Sequence, residues 1–324
     1  MQRYAGKRIT FALALLLSLA TFVEFVSALP ASDLARDGYV VTPDGVRLYY
    51  QTRGSGRDTL LVLHGGPGLS SAYLAPDLEI LARDHTLIHY DQRGGGRSTV
   101  LADPNRLRLA DHIRDVEALR EHFKLDRVVL LGHSWGAVLA AEYARTYSDH
   151  AAKLILVDAM PARATPYMQQ FSENLRAWMD KTMQARVREL GEARKTASDP
   201  IAACKAFWSI FIRGYFANPA DTTVLARMRG DVCEVPPEAL RNSTLVNASA
   251  LQPLGDWDWR QNFREVQLPV LIIHGEKDPI PVASAAEWRA AFPNASLLIV
   301  EGAGHFPHVE QPAAFMRAIE AFLQ

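Results

Sequence analysis

Charge of one sign is what this sequence most clearly lacks. Its 35 lysine and arginine residues are balanced by 36 aspartate and glutamate residues, which gives a formal net charge of −1. A basic surface for nucleic acid is therefore not predicted. The glycine-rich pattern that cradles phosphate and the His and Cys spacings that bind metals are also missing, so we expect neither a cofactor nor a metal ion.

A long hydrophobic run occurs only at the N-terminus. Arg3, Lys7 and Arg8 precede an apolar stretch over residues 9–23, and small residues follow at positions 26–28. This layout is typical of a secretory signal peptide, so we expect residues 1–28 to be cleaved from a secreted or periplasmic protein that is not inserted in a membrane. An uncleaved membrane anchor is the alternative, although the stretch is short for a spanning helix.

Cysteine is scarce, since Cys204 and Cys233 are the only two in the chain. In an oxidising compartment they could form a disulfide that closes a loop of about 30 residues. Two buried thiols are the alternative. Three Asn-x-Ser/Thr sequences, at Asn242, Asn247 and Asn294, are glycosylation sites only if the source is eukaryotic.

The sequence does contain a nucleophile motif. Residues 132–136 read GHSWG, directly after an apolar stretch and before a run of small residues that favours a helix. A glycine on each side lets the chain turn sharply from strand to helix and leaves the serine exposed. Ser134 is therefore the predicted nucleophile, and the N–H of Trp135 at the helix start is a predicted oxyanion donor.

A candidate acid and a candidate base each follow a later apolar stretch. Asp278 comes first and His305 second, so the order along the chain is Ser, Asp, His, as in α/β-hydrolases. Ser134 needs His305 as a general base, while Asp278 would hold the tautomer and stabilise the imidazolium. Glu276 and His308 are the alternative acid and base.

A second oxyanion donor is expected within residues 64–68, which read HGGPG after another apolar stretch. Glycines permit close approach of the backbone to a substrate carbonyl. We favour the N–H of Gly66, with Gly65 second, because Pro67 has no N–H. His64 is interpreted as structural.

These motifs, together with DQRGGGRS at residues 91–98, resemble the proline iminopeptidase family of α/β-hydrolases. The resemblance covers about residues 39–160 and 266–324. It implies that Ser134, Asp278 and His305 form a catalytic triad and that residues 91–98 form a structural loop near the site. It also favours short peptides with an N-terminal proline or small residue as substrates.

Two positions depart from the pattern of that family. His133 stands where the family usually has glycine. Residues 207–211, FWSIF, lack the glutamate that the family carries in a Trp-Glu pair to bind the amino group of the substrate. An aminopeptidase would need another carboxylate, since a buried ammonium without a partner is costly. Glu234 is the first candidate and Asp231 the second.

Strand and helix patterns alternate along most of the chain. This alternation predicts an α/β-hydrolase fold, with a mainly parallel eight-stranded sheet and helices on both faces. The first two strands should form an antiparallel hairpin at one edge. The predicted strands are residues 39–42, 47–52, 60–64, 86–90, 128–132, 153–157, 270–274 and 297–300. The predicted helices are residues 72–82, 107–123, 135–147, 166–190, 283–291 and 313–323.

About 110 residues before the strand at 270 have no strong strand pattern, which is far too long for a crossover loop. We predict an inserted helical cap over residues 161–267, on a core of residues 29–160 and 268–324. Phe207, Trp208, Phe211 and Tyr215 fall close to one helical face. We expect such aromatics to pack the cap onto the core, and Trp208 and Phe211 to line an apolar substrate pocket.

The sequence therefore predicts an exported serine hydrolase that acts through an acyl-enzyme on a small peptide, amide or ester. A proline iminopeptidase-like aminopeptidase is favoured. An esterase, a lactonase or another small-molecule hydrolase stays open, because one triad serves them all. Halide or epoxide chemistry on this fold needs an aspartate where Ser134 stands. A non-catalytic binding module would be expected to lack a member of the triad.

Overall fold

The computed structural model describes residues 36–56 and 58–324, and the predicted signal peptide lies outside these residues. The described chain forms eight strands and eleven α-helices. The strands are β1 (Arg36–Val41), β2 (Arg47–Arg53), β3 (Thr59–Leu63), β4 (Thr86–Tyr90), β5 (Val128–His133), β6 (Ala151–Val157), β7 (Val270–Gly275) and β8 (Ala295–Val300). The helices are α1 (Ala75–Leu78), α2 (Leu109–His122), α3 (Trp135–Thr146), α4 (Tyr167–Ala177), α5 (Lys181–Ala193), α6 (Pro200–Phe211), α7 (Thr223–Arg227), α8 (Pro237–Leu251), α9 (Val282–Ala291), α10 (Pro307–Glu310) and α11 (Pro312–Leu323).

All eight strands belong to one sheet, in the order β1-β2-β4-β3-β5-β6-β7-β8. β1 pairs antiparallel with β2, and β2 pairs antiparallel with β4. The remaining pairs are parallel. The predicted edge hairpin and the mainly parallel sheet are both confirmed. Because the parallel strands end at the same edge of the sheet, the loops that follow them meet there.

Helices cover both faces of this sheet. Side chains alternate along each strand, so that Leu61 and Leu63 of β3 join one apolar cluster while Leu60 and Val62 join the other. The first cluster contains buried residues of α2, α3 and α9, and the second contains those of α11. Burial on both faces explains why the central strands are continuously apolar in sequence.

Between β6 and β7 the regular structure of the described chain is helical, from α4 to α8. An isolated β-bridge pairs Arg163 with Asp258 and brings the two ends of this inserted segment together. Cys204 and Cys233 form a disulfide that joins α6 to the loop before α8. The cap boundaries at residues 161 and 267 stay a prediction. No helix in the described ranges has the length and apolar character needed to span a bilayer.

Two predicted helical stretches are broken in the structure. Residues 72–82 form a 3₁₀ turn at Ser71–Tyr73, then α1, then a second 3₁₀ stretch at Glu79–Arg83. Pro76 lacks the N–H that one continuous helix would use. The long pattern from residue 166 to 190 divides into α4 and α5. The side chain of Asp180 caps α5 by accepting a hydrogen bond from the Met183 N–H at 2.7 Å.

Candidate active site

Ser134 lies on the sharp turn between β5 and α3, with φ of 55° and ψ of −116°. Few non-glycine residues adopt a positive φ, and such strain is often found at active sites. The flanking glycines are needed for this turn. A Cβ on Gly132 would lie 2.3 Å from the carbonyl oxygen of Gly136, and a Cβ on Gly136 would lie 2.1 Å from that of Leu63. The local structure is the strand, turn and helix expected of a nucleophile elbow.

Asp278 and His305 follow the adjacent parallel strands β7 and β8, which brings them together. His305 Nδ1 lies 2.8 Å from Asp278 Oδ2, and the N–H of Ile280 donates to Asp278 Oδ1 at 2.7 Å. Nδ1 therefore carries the ring proton, which leaves the lone pair on Nε2. The alternative acid, Glu276, is exposed and accepts a hydrogen bond from the Gly302 N–H at 3.1 Å.

Burial controls the protonation of this pair. It lowers the pKa of the His305 imidazole below its ordinary value, so the ring is neutral at neutral pH and can accept a proton. Burial raises the pKa of the Asp278 carboxyl, whereas hydrogen bonds from Asp158 and from the N–H of Ile280 act in the opposite direction. The ring N–H of His305 also stabilises the Asp278 carboxylate.

Asp158 is a third buried carboxyl group at this site, at the carboxyl end of β6 with φ of 44°. Its Oδ1 accepts a hydrogen bond from the Gly275 N–H at 2.8 Å. Its Oδ2 is buried and accepts no hydrogen bond from the described residues. Burial, followed by the charge of Asp278, raises the pKa of Asp158 well above its ordinary value. The raised pKa favours the protonated form of the Asp158 carboxyl.

Asp158, His274 and Asp278 also hold three potential metal-ligand atoms within 4.8 Å of one another. Both oxygens of Asp278 are already engaged, by His305 and by the N–H of Ile280. His274 Nε2 donates to the carbonyl of Ile280 at 2.9 Å. Because both oxygens of Asp278 and Nε2 of His274 already have hydrogen-bond partners, we assign no metal to these groups.

The candidate oxyanion donors differ in whether their N–H groups are engaged. The N–H of Gly65 donates to the hydroxyl of Tyr73 at 2.6 Å. The N–H of Gly66 has no acceptor among the described residues, and that of Trp135 begins α3, where no intrahelical acceptor exists. Gly66 has φ of 57°, and a Cβ there would lie 2.5 Å from the side chain of Leu69. Gly66 and Trp135 therefore hold the two available N–H groups.

His133, which replaces the glycine usual in the proline iminopeptidase family, is buried beside Ser134. Its Nε2 lies 2.8 Å from the carbonyl oxygen of His305 and its Nδ1 lies 2.7 Å from the hydroxyl of Tyr73. A carbonyl only accepts, so Nε2 carries the proton and Nδ1 accepts from Tyr73. His133 thus connects the nucleophile turn to the loop that carries His305.

Residues 91–98 contact residues 64–68, here called the glycine loop, and the turn that follows it. Asp91 Oδ1 accepts from the N–H of Ser71 at 2.8 Å and from its hydroxyl at 2.7 Å. Gln92 donates from Nε2 to the carbonyl of His64 at 2.6 Å, and the N–H of Gln92 donates to His64 Nε2 at 3.1 Å. The indole of Trp135 donates to Gln92 Oε1 at 3.1 Å. These contacts support the structural interpretation of this loop and of His64.

Ser134 and His305 line one cavity of about 340 Å³, although no hydrogen bond joins their side chains in the described structure. Aromatic residues of α6 and of the turn after it form much of its wall, and Trp208 and Phe211 are among them. Among the described residues around it, none is Asp or Glu, and the only arginine or lysine is Arg194. The lining residues are Gly65, Gly66, Pro67, Leu69, Tyr73, His133, Ser134, Arg194, Phe207, Trp208, Phe211, Tyr215, Val232, Ser243, Thr244, Asn247, His305 and Phe306.

Glu234, the first candidate for binding an amino group, does not line this cavity. It is exposed on a turn in which its N–H donates to the carbonyl of Asp231 at 3.3 Å, and it borders two neighbouring cavities beside Arg97. Val232 lines the Ser134 cavity instead. Asp231, the second candidate, lies 3.6 Å from Lys205 and also stays outside. The structure thus brings neither predicted carboxylate to the site.

Three residues of the site escape prediction from the sequence. Asp158 follows a buried strand, as Asp278 does, and that position is the signal that could have identified it. Tyr73 and Arg194 have no comparable signal, because a tyrosine in a broken helical stretch and an arginine at a helix end are common in any soluble protein.

The ordered Ser, Asp and His at the carboxyl ends of parallel strands are those of an α/β-hydrolase. The family model described as alpha/beta hydrolase fold matches residues 58–312. The chain therefore belongs to the α/β-hydrolase family, and its hydrolase fold is established.

Proteins similar in sequence to this chain include both proline iminopeptidases and a methyl ester esterase. A proline iminopeptidase of Heyndrickxia coagulans is 27% identical over 296 residues, which cover 89% of this chain and 98% of the relative. A solved proline iminopeptidase of Mycobacterium smegmatis is 24% identical with a TM-score of 0.66, over 89% of this chain and 97% of that one. A thermophilic esterase of Thermogutta terrifontis is 23% identical with a TM-score of 0.63, over 89% and 98%. Each of these two solved structures is similar to this chain in fold.

Proposed function

We propose that the protein is a serine hydrolase that cleaves a small ester or amide through an acyl-enzyme on Ser134. The observation that carries the proposal is the pairing of His305 with Asp278 at 2.8 Å, because His305 lines the same cavity as the half-buried Ser134. A nucleophile, a base and an acid that orients the base form a set of groups that carries out acyl transfer.

The steps follow from these groups. Oγ of Ser134 attacks the substrate carbonyl while Nε2 of His305 takes the proton of the Ser134 hydroxyl. Asp278 stabilises the imidazolium that forms. The N–H groups of Gly66 and Trp135 stabilise the oxyanion, each by about 3–4 kcal/mol in known hydrolases. His305 then protonates the leaving group, and a water activated by the same imidazole releases the acid.

The composition of the cavity wall favours an acyl group without a positive charge. Trp208 and Phe211 supply apolar surface, and no carboxylate is present among the described lining residues to pair with an ammonium. A cationic N-terminus would enter this cavity at a large cost in desolvation. An esterase or a related acyl hydrolase is thus the function that the site supports best.

An aminopeptidase is the second candidate, and the proline iminopeptidases among the relatives favour it. If this candidate is right, Glu234 would have to reach the substrate from its neighbouring cavity. Glu234→Gln should then weaken aminoacyl-arylamide turnover and spare ester turnover.

We also propose that the protein is exported after cleavage of residues 1–28. The pattern of charged, apolar and small residues at the N-terminus supports export. The disulfide between Cys204 and Cys233 also supports it, since disulfides persist in oxidising compartments.

The test is to label the mature protein with a fluorophosphonate and to assay short-chain nitrophenyl esters and aminoacyl arylamides. Ser134→Ala should abolish labelling and lower turnover by several orders of magnitude while the circular dichroism spectrum is unchanged. Labelling of Ser134→Ala at the wild-type rate would place the nucleophile elsewhere. Turnover of arylamides alone would favour the aminopeptidase.

A further inference from the structure

Arg194 stands at the C-terminal end of α5 and forms part of the wall of the cavity that contains Ser134. Its side chain is half-buried, and the carbon at the centre of its guanidinium lies 4.5 Å from the centroid of the Phe207 ring. The contact with Phe207 holds the guanidinium against the aromatic side of the cavity.

Two cations close to Arg194 in the sequence are paired with carboxylates, whereas Arg194 is not. Arg186 lies 2.7 Å from Glu189, and Lys195 lies 2.7 Å from Glu192. The guanidinium of Arg194 makes neither an ion pair nor a hydrogen bond with any residue in the ranges 36–56 and 58–324. Five N–H donors are therefore present beside the cavity without an acceptor.

An unpaired cation of this kind carries a cost in desolvation. Burial lowers the pKa of Arg194, and no carboxylate among the described residues offsets that effect. The group still remains a cation at neutral pH, because a free guanidinium has a pKa above about 12. A binding partner of opposite charge would recover the lost interactions.

We infer that Arg194 binds a carboxylate carried by the substrate, so that the cavity takes esters or amides with an acidic group separate from the scissile bond. A planar guanidinium matches a carboxylate through two parallel hydrogen bonds. The aromatic wall covers the apolar chain between the two groups, and 340 Å³ has room for a short chain. This inference rests on the proposed function, since it places the carboxylate on the substrate that Ser134 attacks.

The experiment compares two esters of equal chain length, mono-4-nitrophenyl glutarate and 4-nitrophenyl pentanoate. Wild-type protein should favour the glutarate in kcat/KM. Arg194→Met should lower kcat/KM for the glutarate by roughly 10- to 100-fold, mainly through KM, because a hydrogen-bonded charge pair is lost. The pentanoate should lose far less, and Arg194→Lys should retain part of the preference. Arg186→Met removes the same charge from an exposed position on α5 and should keep the wild-type preference.

An equal loss for both esters in Arg194→Met, or an equal preference in wild type and variant, would overturn the inference while leaving the proposed function intact. A second measurement needs no turnover. In the Ser134→Ala background, which lacks the proposed nucleophile, monomethyl glutarate should bind in a calorimeter, and the added Arg194→Met change should weaken that binding by roughly 10- to 100-fold. Equal binding by Ser134→Ala and by the double variant would overturn the inference. Failure of fluorophosphonate labelling with Arg194-dependent binding intact would instead contradict only the proposed nucleophile.

Discussion

The hydroxyl of Tyr73 lies 2.7 Å from Nδ1 of His133, and this contact connects the glycine loop to the nucleophile turn. The N–H of Gly65 already donates to that hydroxyl, so the proton of Tyr73 points to His133. His133 then donates from Nε2 to the carbonyl of His305. Burial lowers the pKa of His133 well below its ordinary value, which keeps the ring neutral as this direction of hydrogen bonds requires.

Tyr73→Phe should destabilise the protein and slow the reaction. The change leaves the N–H of Gly65 and Nδ1 of His133 buried without partners, and each such group costs about 1–3 kcal/mol. We expect the free energy of unfolding to fall by about 2–4 kcal/mol and kcat to fall by roughly 10-fold as the two loops shift. Urea denaturation and steady-state kinetics on a nitrophenyl ester measure the two effects.

Tyr143→Phe is the matched control for this prediction. Tyr143 is also buried, and its hydroxyl donates to Glu117 at 2.7 Å, but it does not line the cavity. Its loss should lower the free energy of unfolding and leave kcat unchanged. If Tyr73→Phe behaves in the same way as this control, the Tyr73–His133 contact has only a structural role.

The arrangement of the sheet and the nucleophile turn could be predicted because their signals are local. Gly132 is required by a backbone contact with Gly136, four residues away, and burial on both faces makes the central strands continuously apolar. The same reasoning predicts Asp278 and His305, since each follows a buried strand, and the structure brings their side chains within 2.8 Å of each other. The break between α4 and α5 could not be predicted from periodicity, because Asp180 caps α5 in the middle of a continuous amphipathic pattern.

The cavity wall could not be predicted in the same way. Whether the side chain of Glu234 or that of Arg194 lines the Ser134 cavity depends on how the five helices of the inserted segment pack. Sequence periodicity predicts only which face of each helix is apolar. The sequence therefore identified Trp208 and Phe211 as wall residues, yet it favoured a carboxylate for a cavity whose charged lining side chain is an arginine.

The rate should rise with pH through the titration of His305, because only the neutral imidazole accepts the proton of Ser134. Burial lowers the pKa of this ring, so the rise in kcat/KM should be centred below the ordinary histidine value of about 6.5.

Asp278→Asn should lower kcat by about 10⁴-fold through loss of tautomer control, with little change in stability. A midpoint above pH 6.5, or full activity in Asp278→Asn, would contradict this arrangement of base and acid.

Cleavage of the N-terminal segment should leave a mature protein that starts near Leu29. Residues 26–28, VSA, supply the small residues that a signal peptidase requires. N-terminal sequencing of material from the medium or periplasm measures the start, and replacement of Ala28 with a large residue should block processing. An intact Met1 on membrane-bound protein would indicate an anchor instead.

Asp158→Asn should stabilise the protein increasingly as the pH rises. The raised pKa of Asp158 means that above about pH 4 the unfolded chain has lost this proton while the folded chain keeps it. The wild type therefore loses stability with rising pH, by up to about 1.4 kcal/mol per pH unit until the folded carboxyl titrates. Asparagine does not titrate, keeps an oxygen for the N–H of Gly275 and offers an amide N–H to Asp278, so activity should be retained.

Asp158→Leu is the control, because it leaves the Gly275 N–H without its acceptor and should be destabilised at every pH. Urea denaturation at pH 5 and pH 8 gives the comparison, and an equal difference between wild type and Asp158→Asn at both values would mean that Asp158 is ionised in the folded protein.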